Sequence, residues 1–176
     1  MIVARTSRQR LVEWEDPAPL STAMAEHGGL EMLEEIAAGR LARAPMSVLL
    51  DLRIESIAPG RAVVIAAPGE EHLNEMGLVH GGLAAALLDQ AMAFALISTL
   101  AAADRAAGLD FQIRFLRPLR ASAGTARAEG RIIQAGRRIV NAEADLTQAG
   151  GGELLARASG CFSVARARDG GARSSS

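Results

Sequence analysis

Val79-His80-Gly81-Gly82-Leu83-Ala84-Ala85-Ala86-Leu87-Leu88-Asp89 is the stretch from which the rest of the chain is read. A histidine and two glycines open a long apolar segment, and one carboxylate follows nine residues after the histidine. Glycines at a helix start let another molecule approach free backbone N–H groups, where the helix dipole favours negative charge. Asp89 stands among Leu87, Leu88, Ala91 and Met92, with no basic residue three or four positions away. Buried charge is costly unless it is paired or used. The combination marks a candidate active site.

Apolar residues continue almost unbroken from Leu83 to Ala103. That length would span a bilayer. Asp89, Gln90 and the abundance of alanine argue instead for a core helix, because a mid-membrane carboxylate costs roughly 2.5–3.5 kcal/mol. A helix apolar nearly all round must be covered on most of its circumference. Upstream, Leu52, Ile54 and Ile57 predict a strand, Pro59-Gly60 a turn and Arg61 to Ala67 a second strand. A polar loop then runs from Pro68 to Leu78.

Downstream the period becomes two. Phe111, Ile113 and Phe115 share one face of a strand that stops near Pro118. Ala126, Ala128 and Ile132 alternate with Arg127, Glu129 and Arg131, and Gly136 marks a turn. Val140, Ala142, Ala144 and Leu146 then alternate with Asn141, Glu143, Asp145 and Thr147. A turn at Gly150-Gly151-Gly152 precedes Leu154, Ala156, Ala158, Phe162 and Val164. These patterns predict half-buried antiparallel strands whose exposed charges pair across the sheet. Near the start, Leu30, Leu33, Ile36, Ala37 and Leu41 predict a helix stopped by Pro45. Residues 1–25 read as a loose arm, with Pro17 and Pro19 breaking any continuous helix. The expected class is α+β: an antiparallel sheet wrapped around one long apolar helix, with an N-terminal helical extension. Residues 1–45 form the arm and helix, 46–167 the sheet domain and 168–176 a disordered tail.

The 176 residues suffice for one domain with a sizeable core. A net charge of −1 gives no field that draws nucleic acid or an anionic membrane, and neither is an expected partner. All nineteen basic residues are arginine. The absence of lysine excludes a Schiff base and the lysine-bearing phosphate loop. Cys161 is alone, so there is no intrachain disulfide. Met1 to Ala18 lacks an apolar signal core, which predicts a cytoplasmic protein. His72, His80, Glu71 and Glu75 fit no standard zinc spacing, and no metal is expected. No Gly-x-Ser-x-Gly elbow supports a serine hydrolase.

Asn74-Glu75-Met76-Gly77-Leu78-Val79-His80-Gly81-Gly82, then Asp89, Phe115-Leu116-Arg117-Pro118 and Gly136-Arg137-Arg138 occur in order with sensible spacing. Together they resemble the hotdog-fold acyl-CoA thioesterases, most of all the phenylacetyl-CoA thioesterase-like group, over roughly Leu50 to Val164. The resemblance implies a hotdog fold and hydrolysis of an acyl-CoA thioester to free acid and CoA, without a cofactor. It further implies active sites at the interface of a homodimer, which could pair again into a tetramer. Asp89 would act as general base or nucleophile. The Gly81 N–H would polarise the thioester carbonyl, Asn74 would help hold it, and His80 would position the sulfur side or the loop. Gly82 would lie against substrate. Arg117, Arg137 and Arg138 are candidates for the CoA phosphates, which suit guanidinium geometry.

Plainer roles stand beside these. Asp89 could be a subunit contact, His80 a helix cap, the glycines packing devices, Asn74 a turn residue and the arginines solvated. Many relatives carry a serine or threonine at the start of the strand after the helix, where this chain reads Ala107-Gly108-Leu109. That departure keeps a non-catalytic acyl-CoA-binding protein as the alternative, with an enoyl-CoA hydratase behind it. Helical geometry adds a constraint of its own. The nine residues from His80 to Asp89 rise about 13 Å and turn half-way round the axis, and the eight from Gly81 rise about 12 Å. The Gly81 N–H and Asp89 of one helix therefore cannot both lie about 3 Å from one carbonyl carbon. If both act, they belong to different subunits, and a dimer holds two composite sites. The same separation disfavours the hydratase, which calls for Asp and His working as a local pair.

Overall fold

A computed structural model describes residues 6–148 and 152–167. The expected tail from 168 onward, and Gly150 and Gly151 of the glycine turn, lie outside the described residues. The strands are β1 (Arg53–Ala58), β2 (Arg61–Ala66), β3 (Arg105–Phe115), β4 (Ala126–Ala135), β5 (Ile139–Gln148) and β6 (Ala156–Ala165). They form one antiparallel sheet in the order β1-β2-β4-β5-β6-β3. Three helices, α1 (Ala18–Glu26), α2 (Gly29–Ala37) and α3 (Pro45–Leu49), precede the sheet. The long helix α4 (Gly81–Ile97) carries the chain from β2 to the far edge strand β3 and touches every strand. This is the sheet-around-helix architecture expected from the sequence.

The sheet can wrap α4 because its inward residues are small. Ala126, Ala128 and Gly130 on β4, Ala142 and Ala144 on β5, and Ala156, Ala158 and Gly160 on β6 are all buried. At Gly130 a Cβ would overlap the backbone of Ala91 and Met92, so the helix axis lies close against β4. The helix supplies the bulk: Leu87, Leu88, Met92 and Leu96 are fully buried. Each such side chain contributes on the order of 1.5–3 kcal/mol.

The alternating charges form a network on the outer face. Arg131 meets Glu143 at 2.9 Å and Asp145 at 3.1 Å, and Arg157 meets Asp145 at 2.5 Å. Arg127 joins Glu55 at 2.7 Å and Glu129 at 3.1 Å.

Five local expectations are corrected. The arm is not loose throughout: α1 forms with Pro17 at its cap and Pro19 in its first turn, where a missing N–H costs nothing. Before α1, Arg8 pairs with Glu70 at 3.3 Å and Arg10 with Glu71 at 3.1 Å. Helix α2 stops at Ala37 rather than Leu41, and Gly39 takes a left-handed φ of 71°. Pro45 begins α3, again at a position where proline is tolerated.

Helix α4 ends at Ile97 rather than Ala103. Ser98 Oγ accepts the Gly60 N–H at 2.9 Å and shares its one proton between the Ala95 carbonyl at 2.8 Å and the Ala58 carbonyl at 3.0 Å, tying the helix end to the β1–β2 hairpin. Buried Asp104 then accepts from Arg166 at 2.8 Å, from the Ala167 N–H at 2.8 Å and from the Ala101 N–H at 3.1 Å. These contacts launch β3 at Arg105, well before Phe111. Among the described residues no helix is long and apolar enough to cross a membrane.

Candidate active site

Helix α4 starts with three N–H groups that lack helical partners, those of Gly81, Gly82 and Leu83. His80, at the cap, satisfies two of them: its Nδ1 accepts the Gly82 N–H at 2.8 Å, and its carbonyl accepts the Leu83 N–H at 3.0 Å. An accepting Nδ1 places the proton of the neutral imidazole on Nε2. The Gly81 N–H has no acceptor among the described residues.

The loop before α4 is braced from within. Asn74 Oδ1 accepts the N–H groups of Met76 at 2.9 Å and Leu78 at 3.1 Å, which leaves its amide NH2 to donate elsewhere. The His80 N–H reaches the His72 carbonyl at 2.7 Å, and His72 Nδ1 accepts the Gly69 N–H at 2.9 Å.

Asn74, Gly81, Phe115, Arg117, Leu146 and Leu155 line a cavity of about 430 Å³ at this helix start. Gly81 also leaves room for the Phe115 ring, from which a Cβ would stand a tight 3.2 Å. Arg117 lies at the rim, pairing with Glu153 at 2.6 Å and donating to the Leu154 carbonyl at 3.2 Å. The apolar wall of Phe115, Leu146 and Leu155 escaped the sequence reading. Its one signal is that the period-two pattern breaks off at Phe115-Leu116-Arg117-Pro118.

Asp89 is placed differently from the sequence reading. Leu87, Leu88, Ala91 and Met92 turn into the core, whereas Asp89 is exposed on the uncovered side of α4. Half-buried Ala85, Ala86, Ala93 and Ile97 share that side, so the carboxylate stands in a largely apolar stripe. Desolvation by these surroundings holds its pKa above the ordinary carboxylate value, even though the side chain is open to solvent. It makes no hydrogen bond or ion pair among the described residues.

The structure thus gathers Asn74, Gly81 and Arg117 around one cavity. His80 and Gly82 are exposed beside it at the helix start, and Asp89 lies two turns further along. Arg137 and Arg138 are exposed in the β4–β5 turn at the opposite end of the molecule. The Arg138 carbonyl accepts the Val164 N–H at 2.8 Å there, close to where Arg105 opens β3 against Ala165.

The pattern of the thioesterase superfamily matches residues 76–155. Acyl-coenzyme A thioesterase 13 of Homo sapiens is 30% identical over 124 residues, covering 70% of this chain and 87% of that one. The phenylacetic acid degradation-related protein of Ralstonia eutropha has a TM-score of 0.67 at 26% identity, covering 74% of this chain and 98% of that one. The phenylacetic acid degradation protein PaaI of Thermus thermophilus gives 0.61 at 29%, with 68% and 98% covered. Fold and helix start together define a hydrolase of the hotdog class. The chain belongs to the thioesterase superfamily.

Proposed function

We propose that this thioesterase hydrolyses acyl-CoA thioesters at a site shared between two copies of the chain. The observation that carries the reading is the unpartnered Gly81 N–H beside an apolar cavity, on the same helix as an unpaired, desolvated Asp89. The first can hold a thioester oxygen as it becomes an oxyanion. The second can take a proton from water, and its raised pKa makes it a better base than an ordinary carboxylate. Water adds to the carbonyl carbon while Asp89 accepts its proton. Collapse of the tetrahedral intermediate breaks the C–S bond, and the departing CoA thiolate takes up that proton.

About 12 Å of helix separates Gly81 from Asp89 along the axis, so the Gly81 of one chain works with the partner subunit's Asp89. Strand β3 supports the pairing. It is an edge strand of 11 residues, and Leu109, Phe111 and Phe115 remain 57%, 40% and 55% exposed. A long apolar edge is a template for another strand. A two-fold antiparallel match would set the Arg105 end of one β3 beside the Phe115 end of the other. The Arg137-Arg138 turn of one chain would then approach the cavity and Arg117 of its partner, which suits the phosphates of CoA. His80 keeps the helix start in order and leaves the Gly81 N–H available. Release of free thiol from a panel of acyl-CoAs tests the reading. Asp89→Ala should lower kcat by about 10²–10⁴-fold with KM little changed. Unaltered turnover in that variant would overturn the assignment.

A further inference from the structure

We infer that the acyl part of the substrate, an uncharged hydrocarbon chain or ring, enters a second pocket whose outer wall is built by the N-terminal helices. The inference rests on the shared-site reading above. A cavity of about 220 Å³ lies at the C-terminal half of α4, lined by Met24 of α1, Met32 of α2, Ala93 and Ile97 of α4, and Phe162 of β6. Its floor is continuous with the catalytic stripe. Ala93 stands one helical turn beyond Asp89 on the same side, and Ile97 one turn beyond Ala93. At that step the helix presents only the Ala93 methyl group.

The wall is fixed in place. The Gly29 N–H donates to the Leu100 carbonyl at 3.0 Å, and the Ala103 N–H donates to the Met24 carbonyl at 3.2 Å. Gly28 has a left-handed φ of 87°, and a Cβ on Gly29 would overlap the Ile97 carbonyl, so the α1–α2 turn lies directly on the end of α4. The opposite wall is Ala106, Ala107 and Gly108 of β3, which bring no polar side chain. Asp104 at the rim has its carboxylate committed to Arg166 and two backbone N–H groups.

The two cavities sort the two arms of the substrate. The larger one offers the Asn74 amide and the Arg117 guanidinium, donors that a hydrocarbon cannot use but the amide-bearing arm of CoA can. The smaller one offers methionine thioethers and hydrocarbon, and the one guanidinium in its lining, that of Arg105, is turned to the Ala103 and Asp104 carbonyls at 3.4 and 3.3 Å. Methionine adapts its shape to what it contacts, so Met24 and Met32 set how long or broad an acyl group is accepted. The thioester then lies where the first cavity of one chain meets the Asp89 stripe of the other.

The test measures kcat/KM of the full-length protein on straight-chain acyl-CoAs from acetyl to palmitoyl and on phenylacetyl-CoA, with melting curves to confirm folding. Met24→Trp should fill the pocket and lower the ratio of the longest good substrate to acetyl-CoA by about tenfold or more. Met24→Ala should move the optimum to longer chains. A profile unchanged in both variants, or a uniform fall across the panel, would overturn the inference. So would a profile reshaped by Leu155→Trp in the larger cavity instead. Wild-type protein inert on every acyl-CoA would refute the underlying function, which is a separate result.

Discussion

Gly81 is the residue on which most depends, because it is the first helical position and the only one of three unpaired N–H donors left without an acceptor among the described residues. Proline suits the backbone of a first helical position and removes the N–H, and the Cβ it adds, 3.2 Å from the Phe115 ring, needs only a small shift of that exposed side chain. The preceding residue, His80, already has the extended backbone that precedes proline, with φ −60° and ψ 136°. Gly81→Pro should therefore keep the fold while kcat falls by about 10²–10³-fold, as when an oxyanion donor is lost. Circular dichroism and steady-state kinetics on one preparation would check both halves of that statement.

Asp89 gives the matching prediction in pH. Desolvation raises its pKa, so the carboxyl stays protonated to higher pH than a free aspartate. A base works only when ionised. The acid limb of the kcat/KM profile should thus lie above the position of a free aspartate and vanish in Asp89→Ala. A limb at the ordinary aspartate position would show that the stripe does not tune this group. The sequence pointed to Asp89 as unpaired but placed it among Leu87, Leu88, Ala91 and Met92. Adjacent letters on a helix face different ways, and only the packed sheet decides which way is inward.

The elements show what period can and cannot carry. Strands β4, β5 and β6 were legible because apolar inward residues alternate with outward ones that are charged or polar in β4 and β5 and mostly small in β6, and the alternation survives in the burial of the folded chain. Strand β3 was read from Phe111 only, because Arg105 to Asp110 has no alternation. As an edge strand exposed along nearly its whole length it is under no constraint to show one. Helix α1 was hidden by its prolines, which mark a start as readily as a break. The α4–β4 contact was also invisible, since it depends on an absence at Gly130. Gly130→Ala should destabilise the protein by about 1–3 kcal/mol, typical of overpacking. In a protein of this size that lowers Tm by about 2–4 °C for each kcal/mol, measurable by differential scanning calorimetry. An unchanged Tm would mean that the helix shifts away from the sheet at little cost.

At the scale of the whole molecule, the proposed mechanism gives one chain both halves of the chemistry but keeps them apart along α4. Random mixing of inactive Asp89→Ala and Gly81→Pro chains tests whether a second copy reunites them. Half of the dimers formed would be mixed, and one of the two sites in each would be intact, so about a quarter of wild-type activity should return. Mixing that restores nothing would place both groups in a single chain's site. Light scattering on the same samples reports whether the chains are dimers at all.

The arginines of the outer sheet face, from Arg61 through Arg127 and Arg131 to Arg157, have a chemical consequence beyond their ion pairs. Thioesters acylate free amines, and lysine is the side chain that supplies them. Guanidinium stays protonated throughout the physiological range and is a poor nucleophile. With arginine at every basic position, the chain can hold its surface charges together and stand in a solution of activated acyl groups without offering a side-chain amine to be modified by them.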